Sequence, residues 1–210
     1  MEEVERKPYE QYRSPQGKTG REILALMNEK HYRLTTWGLG KIKIKPDDTI
    51  LDIGCGGGRT VARLAKAASR GAVYGIDHAE ESILYATAHN REAVRAGKVS
   101  ILKADADDLP FLRGTFDKVT AVETTYFWPD LLKCFGQVFH VLKPGGTFLI
   151  VNEAYEDPAF AERNAALKQD GNLRLFTPEQ VKKLLHAAGF SRVSIYLEED
   201  QNWICCKAQK

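Results

Sequence analysis

Nowhere in this 210-residue chain is there a run of ~18 consecutive apolar residues, the length a membrane-spanning helix needs, so no membrane partner is expected. The opening "MEEVERKPYEQYRSPQG" mixes acids, bases and polar groups. It lacks the apolar core of a secretory leader, and no leader is expected. Cysteine is scarce. Cys55, Cys134, Cys205 and Cys206 show neither a CxxC pair nor a Cys/His ligand spacing, so no metal site is expected. Reduced thiols in a cytoplasmic protein follow as the expectation, with adjacent Cys205 and Cys206 on opposite faces of a strand. Excess charge is missing too: 30 Lys and Arg against 28 Asp and Glu leave a net +2, with a pI near 8.3. No clustered basic face stands out, which argues against a nucleic-acid partner. Lys41, Lys43 and Lys45 alternate with Ile42 and Ile44 and read as a solvated linker. Repeats, low-complexity tracts and any interior linker that would mark a second domain are all absent. Monomer and homodimer are both compatible with what remains.

What the chain does have is enough apolar residue, 43%, to bury the core of one α/β domain. From residue 49 onward, short β-branched runs alternate with helical patterns. Strands are expected at "TILDI" (49–53), "AVYGID" (72–77), "VSILKAD" (99–105), "FDKVTAVE" (116–123) and "TFLIVNE" (147–153). "RVSIYL" (192–197) and "NWICCKA" (202–208) should form a closing hairpin. Helices are expected at 60–68, at 80–96 and before the turn "KPGG". Another should run through "TPEQVKKLLHAAGF", where Thr177 and Gln180 make a capping box and Gly189 ends the helix. Strands separated by helices imply a largely parallel sheet covered on both faces.

Two segments fall outside this alternation. Residues 19–37 read as one amphipathic helix, opened by a Thr19/Glu22 capping box and carrying an apolar stripe from Ile23 to Trp37. Residues 154–176 read as a polar insertion with one short helical stretch. The expected organisation is a helical cap over 1–45 and a sheet domain over 46–210, with 154–176 inserted on the substrate side.

The densest signal is "LDIGCGGGRT" (51–60), which puts glycine at 54, 56, 57 and 58 where a strand gives way to a helix. Missing Cβ atoms let a ligand approach the main chain, and the helix start offers free N–H groups. A dinucleotide loop, G-x-G-x-x-G, needs a third glycine where this chain has Arg59 or, in the other register, Val61. What is present is Asp52-x-Gly54-x-Gly56-x-Gly58. An acid beside the loop repels a pyrophosphate but suits a ligand that bears an amino acid. Asp77 ends the next strand, where a carboxylate can accept both hydroxyls of a ribose, and Asp105 ends the third, near the expected adenine.

In order and spacing, "ILDIGCGGG", "YGID", "ADADDLPF", "FDKVTAVET" and "HVLKPGGTFLIVNE" resemble the class I S-adenosylmethionine (SAM)-dependent methyltransferases, small-molecule branch, over residues 45 to 208. The resemblance implies a Rossmann-like, mostly parallel seven-stranded sheet of order 3-2-1-4-5-7-6, with strand 7 antiparallel. It implies SAM as cofactor, with Asp77 on the ribose and Asp105 and Ala106 at the adenine. Asp52, Gly54, Cys55 and Gly56 would face the methionine portion, and Glu123 would lie near that portion or the reacting methyl.

Beside the adenine, His78 can pack on the ring. Glu123, His31 and Tyr32 are the candidates to take a proton from an acceptor. Tyr126, Trp128 and Tyr155 are the candidate acceptor contacts. A [D/N]PP[Y/F] turn, a Pro-Cys nucleophile and a paired-Glu loop are all absent, leaving a small-molecule acceptor by elimination. Two other readings stay open: a SAM-binding module without turnover, and an NAD(P)-dependent oxidoreductase, which Arg59 disfavours.

Overall fold

All four residues of the strand Ile50–Ile53 (β1) are buried, as a strand covered on both faces requires. In a computed structural model, which describes residues 8–210, β1 stands at the centre of a seven-stranded sheet. The others are Val73–Asp77 (β2), Val99–Lys103 (β3), Phe116–Val122 (β4), Leu142–Asn152 (β5), Arg192–Glu198 (β6) and Trp203–Gln209 (β7). The order is β3-β2-β1-β4-β5-β7-β6. Strands β1 to β5 run parallel, and β7 is antiparallel to both its neighbours. This is the expected sheet. Because the order reverses at β1, the chain leaves β1 and β4 in opposite directions and opens a crevice at their carboxyl ends.

Helices cover both faces: Arg59–Ala67 (α4), Glu80–His89 (α5) and Arg91–Arg95 (α6) in the first half of the domain, and Leu131–Val141 (α7) and Pro178–Ala187 (α9) in the second. Leu51 and Ile53 point into a core shared with Phe135, Phe148, Leu185 and Phe190. Ile50 faces the other way, among Val61, Leu64, Val73 and Val99. Cys205 and Cys206 divide between opposite faces of β7, as alternation requires. The capping box of α9 is formed, with Thr177 Oγ1 accepting from Gln180 N and Gln180 Oε1 from Thr177 N.

Four local expectations are corrected. The amino-terminal stripe is not one helix: Pro8–Arg13 (α1) precedes Gly17–Lys30 (α2) and Tyr32–Leu39 (α3), with a break at His31. The Thr19/Glu22 box is not formed, because α2 already begins at Gly17 and encloses both residues. The helix over 80–96 is interrupted at Asn90, whose Nδ2 donates to Gly58 O and Ala86 O and so ties the turn to the glycine loop. Finally, β5 starts at Leu142 rather than 147. The "KPGG" residues are taken up as an irregularity in its pairing with β4, with Gly145 at φ 76°.

The expected cap divides into parts with different jobs, and its residues 1–7 lie outside the described residues. Helix α3 packs on the sheet: Leu34 is buried against Leu149, Val151 and Cys205, and a Cβ on Gly38 would come within 2.3 Å of Val151 Cγ2. Helix α2 lies over the glycine loop instead, where Asn28 Nδ2 donates to Gly57 O. In the 154–176 segment, a 3-10 turn at Pro158–Phe160 leads into Ala161–Gly171 (α8). Asn164 of α8 is buried and bridges Tyr155 O and Asn202 Nδ2, tying α8 to the start of its own segment and to the β6–β7 hairpin.

Candidate active site

A cleft of about 250 Å³ opens at the carboxyl ends of β1, β2, β3 and β4, with α1, α2 and α3 forming its outer wall. Its floor is the glycine loop. Gly54, Gly56 and Gly58 all take positive φ (71°, 48° and 77°), a region that non-glycine residues seldom occupy. A Cβ at Gly54 would also collide with Thr124 Oγ1 at 2.1 Å. Gly54 N and Cys55 N both donate to Ile76 O, which pins the loop to β2.

Asp77, at the end of β2, faces this floor. Its Oδ2 accepts from Gly56 N and its Oδ1 from Ala79 N, each at 3.0 Å. His78 is exposed on the cleft rim, with Nδ1 3.6 Å from Asp77 Oδ1. Asp105 and Ala106 line the same end, Asp105 being exposed in a tight turn closed by Asp108 N donating to its carbonyl. Asp52 is buried beneath the loop, where Thr120 Oγ1 donates to its Oδ1 at 2.6 Å. Burial lifts its carboxyl to about 7, against the opposing pull of the Thr120 bond and with help from the nearby Asp77 charge. Burial likewise pushes the Cys55 thiol well above its ordinary value, so Cys55 lines the cleft as a small neutral group.

At the other end stands Glu123, just past β4. It is one of three described residues other than glycine with positive φ, at 58°. Its Oε1 accepts from Tyr126 OH at 3.1 Å and, at very short range, from Glu153 N. Its Oε2 points toward His31 Nε2, 3.8 Å away. Burial, and then the neighbouring Glu153 charge, raise the Glu123 carboxyl well above its usual range. Burial lowers the His31 imidazole to about 4, although Glu153 pulls the other way, so the ring is neutral at physiological pH. The break between α2 and α3 is what turns His31 inward. A lone histidine on an amphipathic helix is usually solvated, whereas His31, a proton-acceptor candidate from the sequence, is largely covered.

The remaining candidates separate. Trp128 lines the cleft, its ring stacked 6.4 Å from that of Phe148 at an interplanar angle of 6°. Tyr32 is half exposed at the mouth, with the Arg59 and Arg63 guanidinium groups each 4.8 Å from its ring centre. Tyr126 lies behind the cleft wall rather than on it. It donates to Glu123 and accepts from Ala154 N at 3.0 Å, so it orients Glu123. Tyr155 is also away from the cleft, buried in the main core and lining a separate cavity of about 20 Å³. No residue of 154–176 lines the cleft.

Glu153, the residue after β5, was not among the sequence candidates. It receives Lys30 Nζ on Oε1 at 2.8 Å, while Arg163 Nη2 donates to its carbonyl at 3.2 Å. Nothing in its local sequence marks it. Only the pairing of β4 with β5 brings it beside Glu123.

Residues 44–189 match a family model described as "Methyltransferase domain". Among curated proteins, the chain is 36% identical over 110 residues to cycloartenol-C-24-methyltransferase 1 of Oryza sativa subsp. japonica, covering 52% of this chain and 32% of that one. It is 27% identical over 185 residues to a sterol 24-C-methyltransferase of Eremothecium gossypii, covering 85% and 47%. The chain thus spans about a third to a half of the length of these curated relatives. Among solved structures, a SAM-dependent methyltransferase from Aquifex aeolicus superposes with a TM-score of 0.73 at 21% identity, covering 90% of this chain and 97% of that one.

Proposed function

Because the chain belongs to the methyltransferase-domain family, with the class I SAM-dependent fold, we propose that it transfers the methyl group of SAM to a small-molecule acceptor. The observation that carries this reading is the continuity of the cleft. One cavity runs from Asp77 and Asp105, past the glycine loop, to Glu123 and His31.

In this reading the Asp77 carboxylate accepts the ribose hydroxyls, with His78, Asp105 and Ala106 around the adenine. Gly54, Cys55 and Gly56 give the methionine portion close access to the main chain, and Asp52 sits beneath it. The methyl then faces Glu123. A sulfonium methyl is already activated, so holding an acceptor in line at near-attack distance supplies most of the protein's contribution. Tyr126 fixes the Glu123 carboxyl, which can take the acceptor's proton once it is itself ionised. The raised affinity of Glu123 for protons makes it a stronger base than an ordinary carboxylate, and the neutral His31 beside it does not neutralise it.

Trp128 and the ring of Tyr32 supply apolar surface for the acceptor, and α2 is the cap that excludes water. The sterol substrates named for the relatives make an apolar, carbon-rich acceptor the first class to try. The four cysteines are all free thiols, which supports the cytoplasm as the setting for such an enzyme. Release of S-adenosylhomocysteine (SAH) from SAM over a panel of sterols, phenols and amines tests the reading. Turnover with at least one acceptor supports it. Tight SAH binding with no turnover on any of them favours a module that binds SAM without catalysis.

A further inference from the structure

His31, Glu123 and Glu153 come from the end of α2, the end of β4 and the end of β5, and far apart in sequence. Each offers one ligand atom, and the three atoms lie within 4.8 Å of one another. An ion placed among atoms so spaced needs only sub-ångström inward movement of each side chain to reach the ~2.0–2.2 Å of nitrogen and oxygen coordination.

The geometry points to a divalent-cation site formed by His31, Glu123 and Glu153 on the wall of the cleft. Four features support it. Glu123 is largely buried and divides its two oxygens: Oε1 is held by Tyr126 OH and Glu153 N, while Oε2 accepts no hydrogen bond among the described residues and faces His31 Nε2 at 3.8 Å. Metal carboxylates are commonly braced in this way, one oxygen fixed by neighbours and the other left for the ion. Second, the donor set of one imidazole and two carboxylates suits borderline divalent ions such as Mn2+, Co2+ and Zn2+. Third, His31 and Glu123 face the cleft, so further coordination positions would open toward the acceptor. Fourth, two carboxyls this close can both be ionised only beside a cation, and at present the Lys30 ammonium stands there, 2.8 Å from Glu153 Oε1. Lys30 is half exposed and can swing into solvent, which leaves its place to a divalent ion. Arg163, 4.0 Å from Glu153 Oε2, is the second positive group on this side and opposes the ion.

The site's nearness to the reacting methyl rests on the methyltransferase reading, but the coordination itself does not. The test is titration of the full-length protein with Mn2+, followed by loss of the free-ion EPR signal, and with Co2+, followed by visible absorption. Circular dichroism and SAH binding are recorded on every variant. One ion per chain is expected. Its affinity should fall tenfold or more in Glu153→Gln and in His31→Ala, and should rise severalfold in Lys30→Met, where the competing ammonium is gone. A structural ion pair at Glu153 would not produce that gain. SAH affinity should stay within about twofold in Glu153→Gln and Lys30→Met, since neither residue lines the cleft. Absence of binding by both ions at millimolar concentration, or affinity unchanged across the three folded variants, overturns the site. Loss of SAH binding by the wild-type protein would instead overturn the methyltransferase reading and leave the ion result standing.

Discussion

The two ends of the cleft are built differently. At the Asp77 end the ligand-facing groups are main-chain amides, glycine surfaces and a carboxylate at a strand tip, and each is placed by short-range rules. Asp77 is the last residue of β2, and its carboxylate accepts only from main-chain amides, of Gly56 in the loop after the neighbouring β1 and of Ala79 two residues on. At the Glu123 end the groups are side chains of α2, β4 and β5, gathered by tertiary packing. Burial there moves their protonation far from ordinary values. A shared cofactor can be held by the first kind of construction in many proteins. The second kind can vary from one acceptor to the next without disturbing the sheet.

Breaking the Glu123 end should have the largest effect. Glu123→Gln keeps the shape of the side chain and removes its capacity to take a proton. We expect kcat to fall ~10²- to 10⁴-fold while SAH affinity changes little. Steady-state kinetics with any acceptor found in the panel, paired with SAH titration, checks this. An equal loss in SAH affinity would mean that Glu123 belongs to the cofactor end.

A second substitution sharpens the division within the amino-terminal wall. Leu34→Ala, in α3, should cost ~2–5 kcal/mol of folding stability, because Leu34 fills space against Leu149, Val151 and Cys205. Urea unfolding measures it. A loss under 1 kcal/mol would make α3 part of a detachable cap along with α2.

Asp52, beneath the glycine loop, gives the cofactor end a pH dependence of its own. Burial raises its carboxyl from 3.8 to about 7, so the folded protein without cofactor retains a proton that the unfolded chain releases near pH 4. The resulting stabilisation is complete below pH ~4 and is lost as pH rises through 7, about 4 kcal/mol over the whole interval. Asp52→Asn should remove that decline and melt at higher temperature than wild type at pH 8. Parallel melting curves from pH 4 to 8 are the check, and equal slopes for the two proteins would count against a buried, proton-holding Asp52.

The contrast also explains how far the sequence could be read. The alternation of strands and helices, the glycine loop, the strand-end place of Asp77 and the α9 capping box depend on local pattern and were legible in it, whereas the sheet order came only through the family resemblance. The break at His31, the inward turn of its ring and the arrival of Glu153 beside Glu123 depend on contacts between distant segments. The apolar stripe runs on through residue 31, and the interruption shows only once α3 is seated on Val151. Tyr126 and Tyr155 illustrate the same limit. Both follow strand ends, where an acceptor would be met, yet Tyr126 turns back to hold Glu123 and Tyr155 enters the core.

The most direct measurement is calorimetric titration of the full chain and of Asp77→Ala with SAH, with NAD as the competing ligand. Wild type should bind one SAH. The substitution should weaken it by ~1.5–3 kcal/mol, the loss of charge-assisted bonds to the ribose, with folding little changed. NAD should not compete. NAD binding more tightly than SAH, or SAH affinity indifferent to Asp77, would contradict the assignment of this cleft to SAM.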